Sequence, residues 1–153
     1  MRIIILILLL VPLHVYSDQL EQSRIELEAK KKVNISNNLN LNSQESESFW
    51  NIYSDYEREL GLLQKEYFDL IREFSSLYKK NSLSENSASN MLDKHFSIEE
   101  RKVALKKSYR DRFQEIMPVK KVMRFYQNDN KMDSLIRCDI AKRLPLIESD
   151  MEF

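Results

Sequence analysis

The chain has 153 residues, with 24 basic and 24 acidic side chains, one glycine, three prolines and one cysteine. So little glycine, with Leu, Glu, Lys, Ser and Asn abundant, argues against Gly-rich phosphate cradles, doubly wound sheets and barrels. An all-helical protein with one small domain is the natural reading, and the neutral charge balance argues against a nucleic-acid partner.

At the amino terminus Arg2 precedes the apolar run Ile3 to Val11, followed by Pro12, Leu13, His14, Val15, Tyr16 and Ser17. Small residues at 15 and 17 fit the −3 and −1 positions of a cleavage site, so residues 1–17 read as a secretory signal cut after Ser17. The run is short of the roughly 20 residues that a spanning helix needs. The mature chain would begin at Asp18, carry a net charge of −1, and reside in the periplasm. Cys138 is the only thiol, so no disulfide can form within the chain, and it reads as a small buried hydrophobe on a helix.

From Asp18 to Val33 the chain is polar and could form a loose helix through Leu20 and Leu27, but it lacks a continuous apolar stripe. Five asparagines and two serines fall between Asn34 and Ser43, residues that favour turns and compete with the helix backbone. Residues 18–42 are expected to be a leader with little fixed structure. The helical-hairpin domain is placed at 43–148, with 149–153 as a tail.

The next stretch is the most regular. Phe49, Tyr53, Tyr56, Leu60, Leu63, Tyr67, Leu70, Phe74 and Leu77 alternate steps of four and three, a heptad seam that must face another helix. Asn42 or Ser43 would cap its start, and the helix would reach about Lys80. After a break at Lys80, Asn81 and Ser82, Ser84 would cap a second helix. Its broader apolar face runs through Ala88, Met91, Leu92, His95, Phe96, Ile98, Val103, Leu105, Tyr109, Phe113 and Ile116. Pro118 ends that helix and opens a third, to about Lys142, on Val119, Val122, Tyr126, Leu135, Ile136 and Ile140. So short a break predicts a long antiparallel helical hairpin, to which the C-terminal helix adds. Charge agrees with that folding: residues 45–66 carry net −4 and residues 101–121 net +6.

Chemistry is sparse. After signal removal His95 is the only histidine; with Glu99 four residues on it offers two ligands, too few for a tight zinc site. No Gly-x-Ser-x-Gly turn is present, and Cys138 has no histidine nearby in sequence. No enzymatic activity, metal or cofactor is therefore expected. The aromatic content of the first long helix is a stronger signal, because Trp50, Phe68 and Tyr78 lie off its seam and a small domain has limited interior to hide them.

Four motifs carry a resemblance: Phe49-Trp50-Asn51-Ile52-Tyr53, the block Pro118-Val119-Lys120-Lys121-Val122-Met123-Arg124-Phe125-Tyr126-Gln127, Asp133-Ser134-Leu135-Ile136, and Leu144-Pro145-Leu146-Ile147. The stretch from Leu41 to Glu148 resembles a group of small secreted bacterial helical proteins. More distantly it is similar to the Spy/CpxP family of periplasmic chaperones and stress regulators, from whose Leu-Thr-x-x-Gln hallmark Leu41-Asn42-Ser43-Gln44-Glu45 departs, with Asn for Thr and Glu for Gln. The resemblance implies a helical hairpin that forms a homodimer and holds unfolded or envelope proteins. The expected partner-binding residues are Phe49, Trp50, Tyr53, Phe68, Tyr78, Lys120, Lys121, Arg124 and Phe125, with peripheral membrane contact as a further partner class. The alternative function is a structural or regulatory module docking on one envelope partner, with metal sensing through His95 and Glu99 behind it.

Overall fold

The computed structural model describes residues 29–147; the expected signal sequence, residues 1–17, and the first part of the expected leader lie outside the described residues. The described chain is all-helical, with no strand among these residues. Helix α1 occupies residues 29–39, α2 Ser43–Lys79, α3 Glu85–Ile116 and α4 Val119–Ala141.

Helix α2, 37 residues and so about 55 Å long, is defined at both ends by its own sequence. Asn42 accepts from the Glu45 amide while the Glu45 carboxylate accepts from the Asn42 amide, a capping box that satisfies two donors the helix leaves open. At the other end Asn81 takes a left-handed φ of 48°. The Ser82 and Asn81 amides return to the Leu77 and Tyr78 carbonyls, the Schellman arrangement in which asparagine is the usual substitute for glycine. Ser84 then caps α3 through the Ser87 amide.

Helix α3 returns alongside α2. Lys94 bonds Glu73, Arg101 bonds Glu66, Tyr109 bonds Glu59 and Arg112 pairs with Asp55, so one set of numbers rises as the other falls. The acidic stretch of α2 and the basic stretch of α3 thus lie side by side. At Pro118 the chain turns again, and α4 runs back from the Phe125 level to Arg137, whose Nη2 donates to both carboxylate oxygens of Glu99.

The heptad seam is buried at Phe49, Tyr53, Tyr56, Leu60, Leu63 and Leu70, and half-buried at Tyr67, Phe74 and Leu77. Two clusters result. The larger joins Phe49, Tyr53, Tyr56 and Leu60 to Tyr109, Phe113, Val122 and Phe125, with Ile35 and Leu39 of α1 buried in the same cluster. The smaller holds Leu70, Met91 and Ile98, flanked by Tyr67, Phe74, Leu77 and Leu83, all from α2, α3 and their connection.

Residues 29–39 differ from the expected loose leader. They form a helix with Lys31, Ile35 and Leu39 buried, one residue per turn. A stripe this narrow has no amphipathic signature among so many asparagines, and only the groove waiting for it makes it fold. Leu92, Phe96, Val103, Val119 and Leu135, expected on apolar faces, are exposed, because the faces they occupy have no described helix opposite. Cys138 is exposed rather than buried. It lies on the side of α4 away from Val122, Phe125 and Met132.

Candidate functional site

Two features stand out: a buried charge cluster where the four helices meet, and a row of rings that runs from half-buried Tyr67 and Phe68 on α2 to exposed Phe96 on α3.

The cluster centres on Asp129 of α4, whose side chain is fully buried. Its Oδ2 accepts from the Tyr56 hydroxyl at 2.9 Å and pairs with Lys106 Nζ at 2.9 Å, while Lys31 Nζ lies 2.5 Å from Oδ1. Lys31 also bonds Glu57 at 2.7 Å, so one ammonium ties α1 to both α2 and α4. Burial by itself pushes the Asp129 carboxyl upward, but Lys31 and Lys106 outweigh it and hold the group below the ordinary carboxylate range. Burial likewise opposes charge on Lys31, yet Asp129 and Glu57 raise its pKa above the usual lysine value. Burial and the adjacent carboxylate push the Tyr56 phenol far upward, so it stays a hydrogen-bond donor. One turn on, buried Lys102 faces Asp133 at 3.6 Å and Glu99 at 3.9 Å; desolvation prevails there and lowers its pKa.

Beside this network a cavity of about 30 Å³, room for one water, is lined by Lys31, Tyr67, Phe68, Lys102, Asp133 and Arg137. Lys31, Lys102, Asp133 and Arg137 around it are in ion pairs that run from helix to helix, so the network clasps the helices together.

The second feature begins beside the last turns of α4. Phe68, Tyr67, His95 and Phe96 form a continuous row of rings from α2 to α3, with centroids 6.3, 6.0 and 5.6 Å apart in turn. The Arg137 guanidinium lies 5.7 Å from the Tyr67 ring centre and marks the near end. Phe96 is 58% exposed, and Leu92, one turn away, is 56% exposed. His95 is thus part of an aromatic row, and the Glu99 carboxylate is engaged by Arg137. Among the described residues no group of three or more His, Cys, Asp or Glu side chains converges on a point.

The residues expected to bind a partner do not form one surface. Phe49, Tyr53 and Phe125 are core: Phe49 packs 5.4 Å from Phe113 and 5.7 Å from Phe125, so none of the three reaches a partner while α1 is in place. Trp50 is half-buried, edge-on to Phe49 at 5.1 Å. Phe68 is half-buried at the α2 end of the row of rings, and Tyr78 lies farther along α2 against Phe74. Lys120 is exposed. Lys121 and Arg124 donate to the Asn40 and Asn38 carbonyls, closing the C-terminal end of α1, where cations are favoured. The sequence reading missed Asp129, Lys31 and Lys106. A lone acid between Asn128 and Asn130 carries no local sign that two lysines from other helices will meet it.

No helix among the described residues is long and apolar enough to cross a membrane. No protein-family model, curated protein or solved structure matches the chain.

Proposed function

We propose that the chain is a non-enzymatic, exported binding protein that holds unfolded clients in the manner of a periplasmic chaperone or envelope-stress protein. In this reading α2 and α3 are the long antiparallel hairpin, α4 is laid along its lower part, and two chains pair as a homodimer. The observation that carries it is the row Phe68–Tyr67–His95–Phe96, whose α3 end, Phe96 with neighbouring Leu92, is exposed. Aromatic and aliphatic side chains mixed with the neighbouring Lys94 and Arg101 suit extended apolar segments of low sequence specificity. Export rests on the Arg2 to Ser17 pattern, which lies outside the described residues.

The test dilutes a denatured client from urea into buffer with the mature chain at near-stoichiometric ratio and follows light scattering. Suppression that drops at least threefold in a Leu92→Ser/Phe96→Ser variant supports the reading. No suppression across several unrelated clients removes it.

A further inference from the structure

Helix α1 covers the core and is held there by a few contacts: Lys31 on Glu57 and Asp129, Ile35 and Leu39 in the apolar cluster, and Lys121 and Arg124 on the Asn40 and Asn38 carbonyls. Over residues 29–39 only Lys31, Ile35 and Leu39 are buried, and the remaining side chains are exposed. Val33, Asn34, Ser36, Asn37 and Asn38 are poor helix formers, so propensity contributes little to keeping it helical. The connection to α2 is three residues long, and Asn40 within it takes a left-handed φ of 46°. What lies beneath is also held together by α2, α3 and α4. Asp129 keeps Tyr56 and Lys106, and Phe49, Tyr53, Val122 and Phe125 belong to a cluster anchored by α2, α3 and α4.

We propose that the groove between α2 and α4 is a helix-binding site, occupied at rest by α1, whose external ligand is an amphipathic helix presenting Lys-x-x-x-Ile-x-x-x-Leu. The three-point pattern follows from the groove. A buried carboxylate at Asp129, with Glu57 beside it, calls for one cation, and the apolar cluster accepts two aliphatic side chains one and two turns later. Helix-in-groove recognition by anchors at such spacing is a common mode. A tethered occupant has an effective concentration on the order of millimolar, so α1 sets a threshold that a ligand must exceed, and it keeps the core covered until then. This surface is distinct from the aromatic row, and the inference does not depend on the client-holding reading.

The probe is a fluorescein-labelled peptide with the sequence of residues 29–40, titrated against the full chain by fluorescence anisotropy. The Ile35→Ala/Leu39→Ala chain, in which the resident helix is loosened but its charge retained, should bind the peptide at least tenfold more tightly than the unmodified chain. A peptide carrying Lys31→Glu should bind either chain at least tenfold more weakly. Equal binding of the two peptides overturns the proposal, as does no binding to the double variant while its circular dichroism retains α2–α4. Hydrogen exchange on the unmodified chain is independent of whether the variant folds. Amides of residues 33–39 should exchange at least a hundredfold faster than those of residues 53–60, and equal protection of the two segments also overturns it. Client aggregation is read separately, so failure of either idea leaves the other standing.

Discussion

Lys31 and Asp129, far apart in sequence, form an ion pair at 2.5 Å in the interior, and through it α1 is fastened to α4. Both side chains are almost wholly removed from water, which makes the pair costly to form and far more costly to break.

Removing one partner should therefore be severe. Asp129→Ala leaves the Lys31 and Lys106 ammonium groups facing each other across a vacated site, and a loss of about 3–5 kcal/mol is expected in urea unfolding. Joint replacement, Asp129→Leu with Lys31→Met, should recover most of that loss. A double variant as unstable as the single one would contradict this account of the cluster.

The acid limb of stability follows from the same residue. The folded-state pKa of Asp129 lies below its unfolded value of about 3.9, so its contribution is complete above that value and is lost as pH falls through the folded one. Glu99, also held low by Arg137 and Lys102 against the opposing effect of burial, acts in the same direction. Unfolding midpoints should be level between pH 7 and 5 and fall below about pH 4. Asp129→Asn should make that fall shallower; an unchanged acid limb would count against a charged Asp129. Lys31, raised above its ordinary value, adds stability below about pH 10.4 that is lost only at higher pH.

Gly61 sits within α2 with nothing within 4 Å of where a Cβ would be. Gly61→Ala should stabilise the chain by about 0.5–1 kcal/mol, through lower backbone entropy in the unfolded state, and raise the melting temperature by a few degrees. A lower melting temperature would show that something needs the gap.

Two phenylalanines separate interior from surface. Phe49→Ala empties a site ringed by Trp50, Tyr53, Phe113 and Phe125 and should cost about 3–5 kcal/mol. Phe96→Ser changes an exposed position and should stay within about 0.5 kcal/mol of the parent. Chemical denaturation of both variants checks the contrast, and a large loss for Phe96→Ser would mean that its ring is covered in solution.

The cap at Asn42 is a further independent check. It lies on the surface and accepts from the Glu45 amide, so Asn42→Ala should cost about 1 kcal/mol, with unchanged helical content by circular dichroism.

How much of this was legible beforehand varied by residue. The seam from Phe49 to Leu77 was plain, because a four-three rhythm over so many turns has one physical use. The caps at Asn42 and Ser84 and the break at Asn81 were equally local, each depending on a side chain and a backbone a few residues away. Phe49, Tyr53 and Phe125, expected at a partner surface, are interior instead. α1 enlarges that interior with two aliphatic side chains, and its asparagines hid it.

The amino-acid sequence alone determined the helices α2 to α4 and the charges that let α2 and α3 lie together, since periodicity, capping and net charge are properties of neighbours along the chain. Tertiary structure alone decided that residues 29–39 fold, that Asp129 is interior, and that Phe96 and Leu92 face water. Those outcomes depend on what lies across from a residue, and a hydrophobic pattern records the period of a face without recording whether anything covers it.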